Sequence, residues 1–147
     1  MEQRFDLSIA TPAGFRAVFG LEKYVQGALD HTVLYLIKVR ASMVNGCAFC
    51  VDMHTTDALK DGESSQRLFG LAAWNESALY DERERAALAL TDAVTHISQR
   101  GVPDEVWAGV VEHFGEEGAV SVLLAVGTIN LWNRLIMTSR KQPVLAA

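Results

Sequence analysis

Apolar residues recur every three or four positions along almost the whole chain, which is the spacing of one face of an α-helix. Breaks in this pattern, at Asn45-Gly46, Asp61-Gly62 and Gly101, divide it into separate segments. The predicted helices cover residues 12–29, 31–44, 47–59, 65–74, 82–100, 103–114 and 116–140. No pair of alternating strands is linked by a hairpin turn, so we expect an all-α fold of about six to seven helices.

Several helix starts are marked by residues that cap exposed backbone N–H groups. Thr11 precedes Pro12, Asp30 precedes the second helix, and Ser64 or Ser65 precedes the fourth. Asp81 with Glu84 three residues later has the spacing of a capping box. The chain is 147 residues long, with no long linker and no internal repeat, so we predict a single domain spanning residues 1–147.

The last predicted helix is apolar around most of its circumference. Its uncharged stretch, residues 118–133, is 16 residues long, whereas about 20 mostly apolar residues are needed to span a bilayer. We therefore expect a buried helix in a soluble protein, without a membrane partner. A small monomer rarely buries such a helix on all sides, so part of it is expected to face another copy of the chain in a homo-oligomer.

Charge and composition restrict the partners and the compartment. The net charge is −5 and the pI is about 5.3, which disfavours binding to nucleic acid. The lysines and arginines are scattered, and the first six residues lack the apolar core of a signal peptide. Two cysteines are too few for the disulfide framework of a small secreted protein. These features predict a cytoplasmic protein.

The two cysteines and one histidine form the strongest candidate site. Cys47 and Cys50 are three residues apart, and His54 lies one helical turn beyond Cys50. The partial positive charge at a helix N-terminus stabilises a thiolate, and a histidine four residues away can take the thiol proton. A second thiol can then condense with an oxidised sulfur to form a disulfide. The spacing therefore predicts redox chemistry at a CxxC pair.

Two other interpretations of this cluster remain. Buried free cysteines are common in protein cores, so the spacing could be a coincidence of packing. A structural zinc site needs four ligands; Cys47, Cys50 and His54 supply three, and His31, His96 or His113 would have to complete it. Because there is no second CxxC, we favour the redox pair, with no bound metal and no bound cofactor.

The segment from Leu36 to His54, which reads LIKVRASMVNGCAFCVDMH, resembles the core of the AhpD-like alkylhydroperoxidases of the carboxymuconolactone decarboxylase superfamily. Residues 21–25, 82–88 and 129–135 are also similar to segments of its short members. The resemblance implies an AhpD-like helical bundle that forms homo-oligomers through helical faces, commonly trimers or hexamers. It also implies peroxidase activity at the CxxC pair with a neighbouring histidine in a proton relay. An external dithiol, such as a lipoyl-bearing protein, would reduce the pair again.

The order in which the two sulfurs act is open. Helix-terminus electrostatics favours Cys47 as the thiol of lower pKa. Adjacency to His54, together with the resemblance, favours Cys50 as the sulfur that attacks the hydroperoxide. We expect Cys50 to attack and Cys47 to resolve.

The chain departs from the resembled pattern at one position. Twelve residues before the first cysteine, where the peroxidases carry the outer glutamate of the relay, this chain has Tyr35. A phenol with a pKa near 10 is a poor proton acceptor at neutral pH, although it can form hydrogen bonds. His31, one turn earlier on the same predicted helix, is a second candidate for the relay.

Three hypotheses for the function follow. The favoured one is a cytoplasmic thiol peroxidase or disulfide reductase that protects against small hydroperoxides. The second is a non-enzymatic redox-sensing oligomer whose cysteine pair only switches packing. The third is a lyase of the carboxymuconolactone decarboxylase type, whose activity would survive the loss of both cysteines.

Overall fold

Helices account for all the regular secondary structure of residues 2–144, the part of the chain that the computed structural model describes. Within this range there is no strand, which confirms the predicted all-α class. The α-helices are α1 (Leu7–Ala10), α2 (Pro12–Ala28), α3 (His31–Asn45), α4 (Ala48–Lys60), α5 (Ser65–Gly70), α6 (Glu82–Thr95), α7 (Ile97–Arg100) and α8 (Asp104–Ser139). A 3-10 helix, Leu71–Glu76, continues directly from α5.

The predicted caps explain where several helices begin. The Asp30 carboxylate accepts a hydrogen bond from the Val33 backbone N–H at the start of α3. At the start of α6, Asp81 and Glu84 form the expected reciprocal capping box. Thr11 occupies the cap position of α2, but its side chain makes no capping hydrogen bond there, so Pro12 alone marks that start. Local side-chain chemistry thus determines where several of the helices begin.

Helix ends differ from the sequence-based prediction in a few places. The predicted boundary between helices 103–114 and 116–140 is confirmed, because Gly115 breaks α8 there with a positive φ of 70° that glycine adopts without strain. The fifth predicted helix is divided at His96, whose backbone is not helical, into α6 and α7. The short helix α1 was not predicted. These differences concern local breaks and leave the order of the long helices unchanged.

Helix α3 lies at the centre of the packing and contacts α4, α6 and α8. Its residues Val33, Ile37 and Ala41 join one buried cluster with α2, α6 and α8, while Leu36 and Val39 face a second cluster with α4 and α5. Burial on both sides explains why α3 is apolar around most of its surface. The helix therefore holds its C-terminal end, which leads into the CxxC segment, in a fixed position.

Helix α8 is long and apolar enough, by length and composition alone, to cross a membrane. A central helix of a soluble protein meets the same criteria. Here α8 packs against α6, α3 and α2 and contributes Val122, Val126 and Ile129 to the buried core. We therefore describe α8 as a core helix.

Candidate active site

The turn between α3 and α4 positions the two cysteines. Gly46 ends α3 in the left-handed conformation, with φ 73°, which lets the Cys47 backbone N–H donate to the Ser42 carbonyl at 2.9 Å. Cys47 then occupies the N-cap position of α4, and Cys50 and His54 follow on that helix. The CxxC pair therefore sits at a helix N-terminus, as the sequence predicted.

The two thiols are in direct contact. Both cysteines are free and buried, and their Sγ atoms lie 2.6 Å apart. The hydrogen bond from Cys50 lowers the pKa of Cys47 to about 7, because it stabilises the Cys47 thiolate. The same hydrogen bond, together with burial, raises the pKa of Cys50. Near neutral pH the pair can thus hold one negative charge, with the remaining proton on Cys50.

A cavity of about 350 Å³ is lined by one of the two cysteines. Cys50 lines this cavity whereas Cys47 does not. The other lining residues are mostly apolar or aromatic and come from α2, α3, α4, α8 and the segment after α8: Phe15, Phe19, Glu22, Gln26, Tyr35, Lys38, Phe49, Met53, His54, Asp57, Trp132, Ile136 and Lys141. Within this lining the Lys141 ammonium lies 4.7 Å from the centre of the Phe49 ring. A small molecule in this cavity would meet Cys50 before Cys47.

His54 lies in the same cavity, and its side chain is largely buried. Burial and, to a lesser extent, the positive charge of Lys38 lower the pKa of His54 to about 4, against an opposing contribution from Glu22. The imidazole is therefore neutral at pH 7. A neutral ring has one nitrogen that can accept a proton, so His54 can serve as a proton acceptor beside Cys50.

Glu22 and Lys38 form a buried ion pair on the cavity wall, and sequence reasoning missed both residues. Gln26 also donates a hydrogen bond to the Glu22 carboxylate at 2.9 Å. One signal was available: Glu22 falls on the apolar stripe of α2, seven residues after Phe15 and three before Val25. A charged residue on an inner face indicates a buried partner, but the sequence does not identify that partner as Lys38.

Tyr35 and His31, the two candidates for the outer relay, both contact the carboxylate of Asp61. The Tyr35 hydroxyl donates to Asp61 at 2.6 Å, and this contact with burial raises the pKa of Tyr35 to about 12. His31 Nδ1 lies 3.8 Å from the same Asp61 oxygen. Tyr35 still borders the thiol cavity, whereas His31 lines a neighbouring polar pocket with Asp61 and Glu63. The structure brings Cys47, Cys50 and His54 together and leaves His31 outside that group.

A chain of amide side chains lies behind the thiols. Asn133 of α8 is fully buried and donates to the Ser42 hydroxyl at 3.0 Å. Asn45 donates to the carbonyl oxygens of both Asn133 and Asn130, at 2.9 and 3.0 Å. The nearby Asn133 amide, a hydrogen-bond donor, also acts to lower the pKa of each thiol. In the sequence, residues 129–135 stand out only as a segment similar to the short members of the resembled family, and this proximity to the cysteines was missed.

The zinc interpretation has no assembled ligand set in the part of the chain that the structure describes. No group of three or more His, Cys, Asp or Glu side chains within residues 2–144 is arranged to hold a metal ion. In particular, His31 lies at Asp61, away from the cysteines.

Comparison with known proteins gives a family and a fold. The model of the carboxymuconolactone decarboxylase family matches residues 10–93. The uncharacterised protein YdfG of Bacillus subtilis (strain 168) is 45% identical over 136 residues, covering 92% of each chain. The uncharacterised protein YnjA of Escherichia coli (strain K12) is 28% identical over 103 residues, covering 70% of this chain and 56% of YnjA.

Solved structures agree with this assignment. The crystal structure of ATU0492 from Agrobacterium tumefaciens is that of a protein of unknown function provisionally described as the antioxidant defence protein AhpD. It has a TM-score of 0.93 and 44% identity, covering 98% of this chain and 100% of that one. The debrominase Bmp8, in complex with 2,3,4-tribromopyrrole, has a TM-score of 0.81 and 20% identity, covering 90% of this chain and 72% of that one. At that identity the likeness to Bmp8 concerns the fold alone.

Proposed function

We propose that this chain, which belongs to the carboxymuconolactone decarboxylase family, is a thiol peroxidase that reduces small organic hydroperoxides at its CxxC pair. The observation that carries the proposal is the contact of two free thiols, 2.6 Å apart, one of which belongs to Cys50 on the wall of an apolar cavity shared with His54. A core cysteine pair needs neither a cavity nor a neighbouring neutral imidazole. Both features suit a redox cycle.

The proposed reaction moves two electrons from the thiols to the hydroperoxide. The Cys50 sulfur bonds to the terminal oxygen as the O–O bond breaks, and the other oxygen leaves as an alkoxide that takes a proton from solvent to become an alcohol. Cys50 is then a sulfenic acid. The Cys47 sulfur attacks it, releasing water and forming the Cys47–Cys50 disulfide.

The position of Cys50 on the cavity wall supports it as the attacking sulfur. Cys50 lines the cavity and Cys47 does not, so a hydroperoxide bound there would contact Cys50 first. The lowered pKa of Cys47 nevertheless places the first negative charge on Cys47. Because the two sulfurs share a hydrogen bond, the Cys50 proton can pass to Cys47 as Cys50 attacks. Cys47 thus carries the negative charge at rest, and Cys50 acquires it by giving its proton to Cys47 at the moment of attack.

His54 would move the proton in the second half of the cycle. Its lowered pKa makes the neutral ring a weak base, so we assign His54 the passing of a proton between the Cys50 side of the thiol pair and the cavity, without storing it. The imidazole lies one helical turn from Cys50 on α4. This role replaces a relay through Tyr35, whose hydroxyl donates to Asp61.

The cavity wall favours substrates with an apolar body. Phe15, Phe49 and Trp132 present aromatic surface, and Met53 and Ile136 add aliphatic surface. A cavity of about 350 Å³ is at the lower end of the range for small-molecule sites, which suits an alkyl or aryl hydroperoxide such as cumene hydroperoxide. Hydrogen peroxide would fill little of this space and gain little binding energy from it.

We further propose an external dithiol of the lipoyl type as the reductant and the cytoplasm as the compartment. A dithiol reduces the disulfide by two exchange steps and becomes a cyclic disulfide itself, so the electrons balance. Cytosolic conditions keep such thiol pairs reduced between turnovers. We also propose a homo-oligomer, because Val120, Leu124 and Leu131 form an exposed apolar stripe along α8.

Steady-state reduction of cumene hydroperoxide with dithiothreitol as electron donor tests the proposal. We expect continuous turnover by the wild type and loss of turnover in Cys50→Ala and in Cys47→Ala. Wild-type turnover by Cys50→Ala would refute the proposal. Oxidation that stops after one equivalent would indicate the redox-sensing alternative, and a lyase activity that survives loss of both cysteines would indicate the decarboxylase-type alternative.

A further inference from the structure

Three asparagines and one arginine form a continuous hydrogen-bonded chain that ends at Ser42, close to the CxxC segment. Arg134 Nη1 donates to Asn130 Oδ1 at 2.9 Å, and Asn45 Nδ2 donates to the same oxygen at 3.0 Å. Asn45 Nδ2 also donates to Asn133 Oδ1 at 2.9 Å, and Asn133 Nδ2 donates to Ser42 Oγ at 3.0 Å. The chain connects the exposed side of α8 with the end of α3 immediately before the CxxC segment.

The orientation of Asn130 is fixed by groups that have only one hydrogen-bonding role. A guanidinium has donors and no acceptor, so the atom of Asn130 that faces Arg134 must be the oxygen. On the other side, Asn130 Nδ2 lies 3.0 Å from the Val126 backbone carbonyl, which can only accept. Flipping the amide would therefore place donor against donor and acceptor against acceptor.

This constraint passes from Asn130 to Asn133. Because Asn130 presents its oxygen, Asn45 must present its NH₂ group, and Asn133 must in turn present its own oxygen to Asn45. The NH₂ group of Asn133 is thus forced to the opposite side, toward Ser42, whose backbone carbonyl accepts the Cys47 N–H at 2.9 Å. One of its two N–H groups donates to Ser42, which leaves the second for a sulfur.

We propose that Asn133 is a catalytic residue whose side-chain N–H stabilises the thiolate of the Cys47–Cys50 pair. Asn45 and Asn130 act as positioning residues, since they fix the direction of that N–H without touching sulfur. This role of Asn133 rests on the proposed function in one respect: the cysteine pair is taken as the reactive group. The same N–H would stabilise the thiolate that leaves when a dithiol reductant opens the disulfide.

The physical basis is a hydrogen bond that strengthens when its acceptor becomes charged. Such a bond favours the thiolate over the thiol, and the pKa of each cysteine is lowered by the Asn133 amide. Asn133 is fully buried, so water does not compete for its N–H. The charged and titratable groups of the adjoining cavity are Glu22 of α2, Tyr35 and Lys38 of α3, His54 and Asp57 of α4, and Lys141 after α8. The variants below leave all of them unchanged.

The test is the pH dependence of thiol alkylation by iodoacetamide, with each cysteine followed by mass spectrometry. In Asn133→Leu, which has a similar shape but no donor, we expect the lower thiol pKa to rise by about one to two pH units. Alkylation at pH 7 should slow about tenfold as a result. Circular dichroism confirms that each variant is folded.

A double-mutant cycle tests whether Asn45 acts through Asn133. We expect Asn45→Ala to raise the thiol pKa by a smaller amount, because Asn133 is then free to turn. In the double variant, Asn45→Ala should not raise the thiol pKa beyond the value in Asn133→Leu alone. If Asn133→Leu does not fold, the half-buried Asn45→Ala still provides the test, because an unchanged pKa in that variant overturns the proposal.

Thr95→Val is the matched control. Thr95 accepts a hydrogen bond from Asn130 Nδ2 at 3.0 Å, so its loss perturbs the network far from the sulfurs. Val126 and Arg134 still fix Asn130, and the thiol pKa should therefore not change. A thiol pKa unchanged in Asn133→Leu, or additive shifts in the cycle, would overturn the proposal. Alkylation needs no peroxide, so a failure of the peroxidase hypothesis would appear separately, as absent turnover by a wild type whose thiol pKa is low.

Discussion

Lys38 of α3 and Glu22 of α2 form an ion pair that is buried on the wall of the cavity holding His54. Both side chains are less than a tenth exposed, so each charge depends on the other for compensation. The pair joins two helices and also adjusts the charge around the imidazole, since Lys38 lowers the pKa of His54 and Glu22 raises it. Loss of this ion pair should therefore affect both the stability of the fold and the pKa of His54.

Breaking the ion pair from one side should be costly. Glu22→Gln leaves the Lys38 ammonium buried without its counter-charge, and we expect a loss of about 3 kcal/mol or more in the free energy of unfolding. Urea unfolding measures this loss. The double variant Glu22→Leu, Lys38→Met should recover most of it, because it removes both charges. Lys60→Gln, which breaks the exposed pair with Asp57, should cost less than about 1 kcal/mol.

Burial of His54 predicts a pH dependence of stability. The folded pKa is about 4 and the unfolded value about 6.5, so between these values the unfolded chain binds a proton that the folded chain does not. The free energy of unfolding should therefore fall as pH falls from 6.5 to 4, by on the order of 3 kcal/mol. His54→Gln should remove this component. Urea unfolding of both proteins across pH tests it, and parallel curves would contradict the account.

Tyr35→Phe should have little effect on turnover. The Tyr35 hydroxyl donates to Asp61, and the account assigns it no proton transfer. We expect kcat/KM for cumene hydroperoxide to stay within about twofold of wild type, whereas loss of a general acid or base reduces rates by about 10²–10⁴-fold. A fall of that size would show that Tyr35 replaces the glutamate of the resembled peroxidases.

The exposed apolar stripe of α8 should mediate self-association. Leu124 lies in the middle of this stripe, and we expect Leu124→Glu to dissociate the oligomer by placing a charge in its interface. Sedimentation velocity compares its mass with that of the wild type. Phe69→Glu, at an exposed phenylalanine on α5, is the control and should leave the assembly intact. A monomeric wild type would contradict the homo-oligomer proposal.

Features set by neighbouring residues were predictable from the sequence. Asp30 and Asp81 cap their helices through contacts three residues away, and Cys50 and His54 share a helix face because they are four residues apart. Short-range geometry of this kind requires no knowledge of the packing. The all-α class and the family followed from such local patterns.

Features that join distant segments could not be predicted. Lys38 and Glu22 are 16 residues apart on different helices, and Asn133 lies 91 residues from Ser42. Their pairing depends on how α2, α3 and α8 cross, which no single segment specifies. The position of His31 also depends on how two helices pack. The start of α3 lies beside Asp61 at the end of α4, so His31 contacts Asp61 and not the thiols.

The most direct test of the central claim is the intact mass of the reduced wild type after one equivalent of cumene hydroperoxide. The account predicts the loss of two hydrogen atoms, with peptide mapping that joins Cys47 to Cys50 and recovery of the starting mass after dithiothreitol. In Cys47→Ser the same treatment should leave a sulfenic acid on Cys50 that dimedone traps. An unchanged mass in the wild type, with both thiols still open to alkylation, would contradict the claim that this pair reduces hydroperoxides.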